Sequence, residues 1–482
     1  MKKSLVKNSI FNTIYTVLNI LFPLITSAYV ARVILTEGVG KVAYAQSIVS
    51  YFILAAFLGI PSYGLREIAR IKDDKERKSK LFSELVSLNF LSTTLAIILY
   101  ILTITLVPSF HDEVSLYIAC GSLIVLNYFN IDWLYQGEEE YVYIVCRSLL
   151  IKAISIICLF LFVKKQEDYI LYAWILTCAT GGNYIFNAIH SRKYVRICFT
   201  NLNLQQHVKP VMIFAGGVVL SNLYSNIDTI MLGIMMSDHS IGVYTYANKI
   251  IQLSISICIS VTAAFSPRLS YFYANNKEQF NKLISKGIEL LTFITIPMTT
   301  GIFMVAPDIV EFLYGSAFMA SAKTVRVFCV LIIIKSFGDL LCYQLIACTG
   351  NEVQRIPAVM IANITNIFLN VLLIPLLEEN GAAVASVVSE FIVNLYQFRV
   401  IRRIIHLRFD KKAIWHSIIG SGIMAGYITL IKAINLPLLT SMLFSVGGGV
   451  LLYFIMSLML GNNVAFTFLD YGKKAFLRKK SK

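Results

Sequence analysis

Charged residues are scarce in this chain. They make up 14% of its 482 residues, against 57% hydrophobic, whereas a soluble domain is nearer a quarter charged. That shortage excludes an ordinary run of soluble domains. None of the nine cysteines forms a CxxC pair, and no His/Cys group has metal-ligand spacing, so a zinc site of the familiar kind is absent and no metal is expected. The cysteines read as small buried apolar side chains. No GxxxxGK[ST] stretch occurs, so no phosphate-cradling loop ties ATP hydrolysis to the chain. Long polar segments are missing too. The longest, 66–80 and 267–286, are about 15–20 residues, too short to hold a catalytic domain. A membrane glycosyltransferase or polymerase is therefore disfavoured; the reading is a non-enzyme with no catalytic residues.

What is present is a succession of apolar runs, with a mean hydropathy of +0.71. Each is long enough to cross a hydrocarbon core of about 30 Å at 1.5 Å per residue. None alternates as barrel strands do, so helices are the remaining solution. The chain reads as an all-α polytopic membrane protein of about fourteen spans: 8–35, 42–65, 81–107, 115–135, 142–163, 169–190, 210–236, 241–266, 287–306, 322–347, 357–377, 381–398, 413–433 and 440–460. The basic start and long first run predict an uncleaved first helix, not a signal peptide.

The net charge of +15 would suit nucleic acid if it were clustered on a domain. It is instead distributed by side. With the N-terminus inside, the inner segments hold 31 of the 42 Lys and Arg residues, the outer segments four and the spans seven. This bias predicts both termini in the cytoplasm.

A repeat runs through the sequence. "VGKVAYAQSI" (39–48) lies over "IGVYTYANKI" (241–250) at an offset of 202, and the same offset carries "KERKSKLFS" (75–83) onto "KEQFNKLIS" (277–285) with five of nine residues identical. It also carries Arg66 onto Arg268. A weaker register, offset by 213, relates "YQGEEEY" (135–141) to "CTGNEVQ" (348–354). Spans one to six thus repeat as seven to twelve. Six spans return the chain to its starting side, so the two lobes run parallel. The expected division is an N-lobe of 1–200, a C-lobe of 201–410, and a third part, 411–482, with two further spans and a basic tail. Such repeats place a substrate site between them.

Charges at membrane depth are costly, about 2.5–3.5 kcal/mol each, and usually face a functional interior. Lys152 lies some eleven residues into span five, about 16 Å deep and so near the midplane. Lys335 and Asp339, four apart in span ten, can pair on one helix face, though a purely structural pair is an equal expectation. Glu390 is central in span twelve, Asp228 about two-thirds across span seven, Lys249 within span eight, and Arg32 near the outer end of span one. Asp228 is the one charge between Pro210 and Met236 and is expected to face water. Acids at such depth can bind Na⁺ or H⁺, or balance a basic neighbour. Arg147 and Lys432 are expected to snorkel to an interface. Arg66 and Arg268 end the second span of their lobes. They serve either retention of positive charge inside or recognition of phosphate by guanidinium.

Three stretches carry a family likeness: "LGIPSYGLREIAR" (58–70), "DWLYQGEEEYVYI" (132–144) and "NIDTIMLGIMMSDHSIGVYTYANKI" (226–250). With "FLYGSAF" (312–318) they resemble the Wzx-type polysaccharide repeat-unit flippases of the multidrug/oligosaccharidyl-lipid/polysaccharide exporter superfamily. The resemblance implies a two-lobed helical transporter in the bacterial cytoplasmic membrane. It implies that an undecaprenyl-diphosphate-linked oligosaccharide, the repeat unit of an O-antigen, capsule or similar polysaccharide, crosses by alternating access. It implies partners too: the lipid-linked substrate, membrane lipids and the pathway's polymerase, with no nucleic acid. No cofactor is implied beyond a coupling ion, H⁺ or Na⁺. Arg32 ("ARVI") and Arg66 ("YGLRE") correspond to head-group or gating positions, and Asp228 ("NIDTIMLG") to a cavity position. After "ARVI" the family often has Gly-Pro where this chain has "LTEG" (35–38). The alternative on the same fold is a cation-coupled exporter of drugs or small metabolites, whose cationic cargo would favour an acidic cavity over the Arg and Lys seen here.

Overall fold

The computed structural model describes residues 5–71, 73–198, 202–405, 407 and 409–470. Among them every regular element is helical, since a helix satisfies its own backbone in hydrocarbon. By length and composition, ten stretches are able to cross a membrane. The sequence reading expects fourteen. The first two runs are two helices that meet at a kink at Leu35, where φ is 61° and ψ −172°, and together make up α1 (Leu5–Phe57). The runs Tyr169–His190 and Gln205–Met235 are helical but outside the ten, and the run from Ser321 to Cys348 is broken into shorter pieces.

The chain divides into two compact units, 1–242 and 243–482. In the first, α1 is followed by a short α2 (Ile60–Arg70), α3 (Lys75–Leu106), α4 (Val114–Leu126), α5 (Asp132–Gly137), α6 (Tyr141–Phe162), α7 (Tyr169–His190) and α8 (Gln205–Met235). α1 stops because Leu58 turns to a φ of 48°. Gly59 then lies so close to the Val211 backbone that a Cβ would collide with it. On α3, Phe90, Leu91, Leu95, Ile98, Leu102 and Leu106 are exposed. In water such a row would be an aggregation hazard; on a membrane helix it is the lipid-facing side.

In the second unit, the remainder of α9 (Asp238–Ala263) leads to α10 (Ser266–Asn275), α11 (Lys277–Tyr314), α12 (Ser321–Phe328) and α13 (Val330–Gly338). A π-helical turn, Asp339–Gln344, joins α13 to α14 (Leu345–Cys348). α15 (Arg355–Leu377), α16 (Glu379–Ile404), α17 (Lys411–Ala433), α18 (Leu438–Met442) and α19 (Gly449–Met459) complete it. Tyr246, Tyr314 and Phe318 stack at 4.5–5.7 Å between ring centres and anchor α9 to the end of α11.

The offset of 202 reappears in local geometry. α3 is capped by Asp74, which accepts from the Arg77 N–H at 3.1 Å, and α11 by Asn276, which accepts from the Gln279 N–H at 3.0 Å. Both are Asx caps that satisfy an orphan donor of the first turn. Gly40 is pressed on the Asp238 carbonyl and Gly242 on the Thr36 carbonyl. These are reciprocal contacts of residues matched by that offset.

All nine cysteines are free. The expectation that they are buried holds for Cys120, Cys258, Cys329 and Cys342. Cys146, Cys178 and Cys198 are instead exposed. On α6 and α7 a weakly polar thiol meets lipid as readily as a core.

Candidate functional site

Of the nominated residues, Arg32, Arg66, Lys152 and Asp228 belong to the first unit and Lys249, Arg268, Lys335, Asp339 and Glu390 to the second. Arg66 has the most constructed surroundings. Its helix, α2, buries Ile60, Tyr63, Gly64 and Ile68, one face at helical spacing. That face locks into α5, because a Cβ at Gly64 would overlap the Trp133 indole, and one at Gly137 would meet Ile68. Two of the stretches that carried the family likeness are therefore halves of one joint. The opposite face of α2 presents Arg66, whose side chain is 44% exposed and paired with Glu67 at 2.9 Å. Its guanidinium lies 5.5 Å from the Tyr63 ring centre and 4.9 Å from that of Phe214. The aromatic pair flanks the cation, and Glu67 takes its Nε and one terminal nitrogen.

Behind Arg66 stands a buried relay that sequence reasoning missed. The Tyr63 hydroxyl is 2.9 Å from His207 Nδ1, and His207 Nε2 is 2.8 Å from Glu84 Oε2. Glu84 and His207 are 2% and 5% exposed. The second Glu84 oxygen accepts from the Asn203 N–H at 2.8 Å. Tyr63 sits in the noted "LGIPSYGLRE" stretch, but its partners lie far along the chain, so no local spacing could reveal them.

A second network underlies the "DWLYQGEEEY" stretch. Lys78 and Glu138 form a buried ion pair at 2.5 Å. Arg147 was expected to snorkel. It is 8% exposed, bonds Asn183 at 2.9 Å and Asp132 at 3.2 Å, and also meets Asn187. Those three acceptors satisfy the guanidinium inside the unit, so it has no need to reach an interface. Lys432, its side chain 28% exposed in the last turn of α17, meets Asp308 at 2.8 Å and the Met304 carbonyl at 2.7 Å. Beyond the spans, Tyr194 donates to Glu140 at 2.8 Å; burial first, then that carboxylate, push its phenol pKa up and keep it a donor.

Arg32 is exposed, one turn before the bend at Leu35. Lys152 is half-buried, its ammonium 5.3 Å from the Phe22 ring centre. Asp228 departs from expectation. It is 5% exposed, in electrostatic reach of Tyr51 on α1, and does not face open water. One turn on, Gly233 lets α8 close onto the Tyr44 ring of α1.

In the second unit, three nominated residues gather around α13 and α16. Lys335 does not pair with Asp339 as the four-residue spacing suggested; it meets Glu390 at 3.6 Å. Asp339 opens the π-helical turn and accepts from Gln344 at 2.7 Å and Thr262 at 3.3 Å. The long lysine stem reaches the neighbouring helix, while the short aspartate is satisfied by polar groups beside it. Gly338 brings α13 against the Asn394 side chain, which donates to the Ile334 carbonyl at 3.3 Å. π-turns concentrate at functional sites because they redirect side chains. Lys249 lies 4.3 Å from the Tyr246 ring centre. Arg268 is exposed on α10 and lines a cavity of about 970 Å³. Ser254, Pro297, Met298, Met424, Val450 and Tyr453 help line a second, almost wholly apolar cavity of about 400 Å³ among α9, α11, α17 and α19. Among the described residues, no group of three or more His, Cys, Asp or Glu side chains could hold a metal ion.

Residues 5–273 match the family profile described as polysaccharide biosynthesis protein, and residues 214–376 match that of MatE. The chain is similar to a putative O-antigen transporter of Escherichia coli (strain K12), 22% identical over 406 residues that cover 83% of this chain and 97% of that protein. In fold it is similar to lipid II flippase MurJ in an inward closed conformation, with a TM-score of 0.76 at 16% identity over 95% of this chain and 99% of that one. An inward-facing multidrug resistance MATE family transporter aligns at a TM-score of 0.63 and 15% identity, over 80% of this chain and 93% of that one. At these identities the structural likenesses speak for the fold.

Proposed function

The chain belongs to the polysaccharide biosynthesis protein family, and from that premise we propose that it is a flippase. Its substrate is an undecaprenyl-diphosphate-linked oligosaccharide repeat unit, carried across the bacterial cytoplasmic membrane by alternating access. The observation that carries this reading is extent: the chain covers 97% of a protein named a putative O-antigen transporter. The family match spans the segment holding Arg32, Arg66, Lys152 and Asp228. Arg66, exposed on α2 and flanked by the Tyr63 and Phe214 rings, contacts the diphosphate, because guanidinium engages phosphate oxygens two at a time. The apolar cavity among α9, α11, α17 and α19 suits a polyprenyl chain, which needs a dry channel with no donors to satisfy.

The remainder of the proposal is finer. Both termini lie in the cytoplasm, and the transporter works beside the polymerase of its pathway. An H⁺ or Na⁺ gradient, or downstream polymerisation, supplies the energy. Lys335, Glu390 and Asp339 are the groups best placed to couple an ion, because Lys335 and Glu390 form a mixed-sign pair that a bound cation could replace. A cation-coupled drug exporter is the second reading, supported by the MatE match over residues 214–376. The two are separated in a strain lacking the gene. Lipid-linked glycans retained on the inner leaflet, and released by the wild-type gene but not by Arg66→Ala, support the flippase. Normal glycan export together with sensitivity to cationic drugs supports the exporter.

A further inference from the structure

Within the first unit, the segment ahead of α8 is held along one edge of α3. The Arg196 N–H donates to Ser79 Oγ at 3.1 Å, the Cys198 N–H to Ser83 Oγ at 2.8 Å and the Asn203 N–H to Glu84 Oε1 at 2.8 Å. Three acceptors on the helix receive three backbone donors. The offset of 202 places Asn281, Ser285 and Lys286 at the corresponding positions of α11. There the edge is not covered by described chain: all three residues line the cavity of about 970 Å³ that also holds Arg268.

The decisive change is Glu84 to Lys286. An edge that accepts has become one that donates, so its occupant must bring acceptors and negative charge. Lys282 on the same wall is paired with Glu278 at 2.7 Å. Among the described residues, Arg268 and Lys286 have neither an ion pair nor a hydrogen bond through their side chains. Glu289 also lines the wall, within electrostatic reach of Lys286 and Asp410. With the Lys282–Glu278 pair cancelling, the lining has Arg268 and Lys286 against Glu289. The tail from residue 471, with six Lys and Arg, has the wrong charge to fill it.

We propose that this cavity in the second unit is a binding site for a phosphate-bearing anion, gripped by Arg268 and Lys286 with Asn281 and Ser285 as neutral partners. Charge-assisted hydrogen bonds from both cations to phosphate oxygens would hold it. The chemistry fits an anionic lipid head group and a free phosphate or diphosphate equally. The site is independent of the transport reading, because binding is measured without transport.

The test uses the full chain in nanodiscs of zwitterionic lipid, titrated with inorganic pyrophosphate by calorimetry. Arg268→Gln and Lys286→Gln should each weaken binding about tenfold, and Lys286→Glu should abolish it. Lys277→Gln, a cation outside the wall, should leave it unchanged. Unaltered thermal midpoints without ligand confirm that the variants fold, as exposed side chains should allow. Adding phosphatidylglycerol separates the sources: competition with pyrophosphate marks a lipid head group, and undiminished binding marks a soluble phosphate. Absence of pyrophosphate binding by the wild type, or equal weakening by Lys277→Gln, would overturn the proposal.

Discussion

The placed charges of this protein fall into two kinds, and their partners distinguish them. Lys78 and Glu138 have side chains only 5% and 8% exposed and lie 2.5 Å apart. Removing one member of such a pair strands the other and costs about 3–5 kcal/mol, whereas replacing both with well-packed apolar residues is near neutral. Lys78→Ala should therefore lower the thermal unfolding midpoint in detergent sharply, and Lys78→Met with Glu138→Leu should restore most of it. Equal midpoints for wild type and Lys78→Ala would show the pair to be idle. Arg66 is the other kind, 44% exposed on its helix. Arg66→Ala should keep membrane insertion and unfolding midpoint while surface polysaccharide is lost. Lys152→Ala should behave alike. Full polysaccharide assembly in either variant removes that residue from the mechanism. The sequence marked Arg66 and Lys152, but not Lys78 or Glu138, which lie in the charged stretches "KERKSK" (75–80) and "GEEE" (137–140). It did not mark which were satisfied. Arg147 reads as a snorkeler because Asp132, Asn183 and Asn187 come from other elements, and Asp228 reads as water-facing because nothing local shows Tyr51 of α1 beside it.

At the scale of elements, the joint of α2 with α5 positions Arg66. It depends on the absence of a side chain at Gly64, whose Cβ would lie 2.7 Å from the Trp133 ring. Forcing a methyl into such a contact costs about 1–3 kcal/mol. Gly64→Ala should reduce polysaccharide assembly although Arg66 is intact, and Gly64→Ala with Trp133→Leu should recover part of it. Failure of the smaller partner to rescue would mean that the joint does not set the position of Arg66. Apolar runs gave the long helices correctly, because length and hydropathy are local. Breaks within runs were less legible. The boundary set at residue 35 coincides with the kink at Leu35, whereas the stop at Leu58 and the π-turn at Asp339–Gln344 fall inside apolar runs. The repeat was the exception: its offset of 202 extends even to the caps Asp74 and Asn276.

For the whole molecule, the expected orientation follows from 31 Lys and Arg residues on one side against four on the other. A reporter enzyme active only outside the cytoplasm should stay silent when fused after residue 482 and become active when fused in the outer segment near Lys164. The reverse pattern would invert the topology. Two units, each with its own core, and a family match through residue 273 make the chain a transporter scaffold, but the cargo is the claim on which the rest turns. It is tested most directly in proteoliposomes that contain only this protein and an undecaprenyl-diphosphate-linked oligosaccharide. Access of the glycan to an external lectin should appear at a rate set by the wild-type protein and fall to the protein-free rate with Arg66→Ala. A rate that is the same with and without protein, in vesicles that nonetheless transport a cationic dye against an ion gradient, would contradict the account.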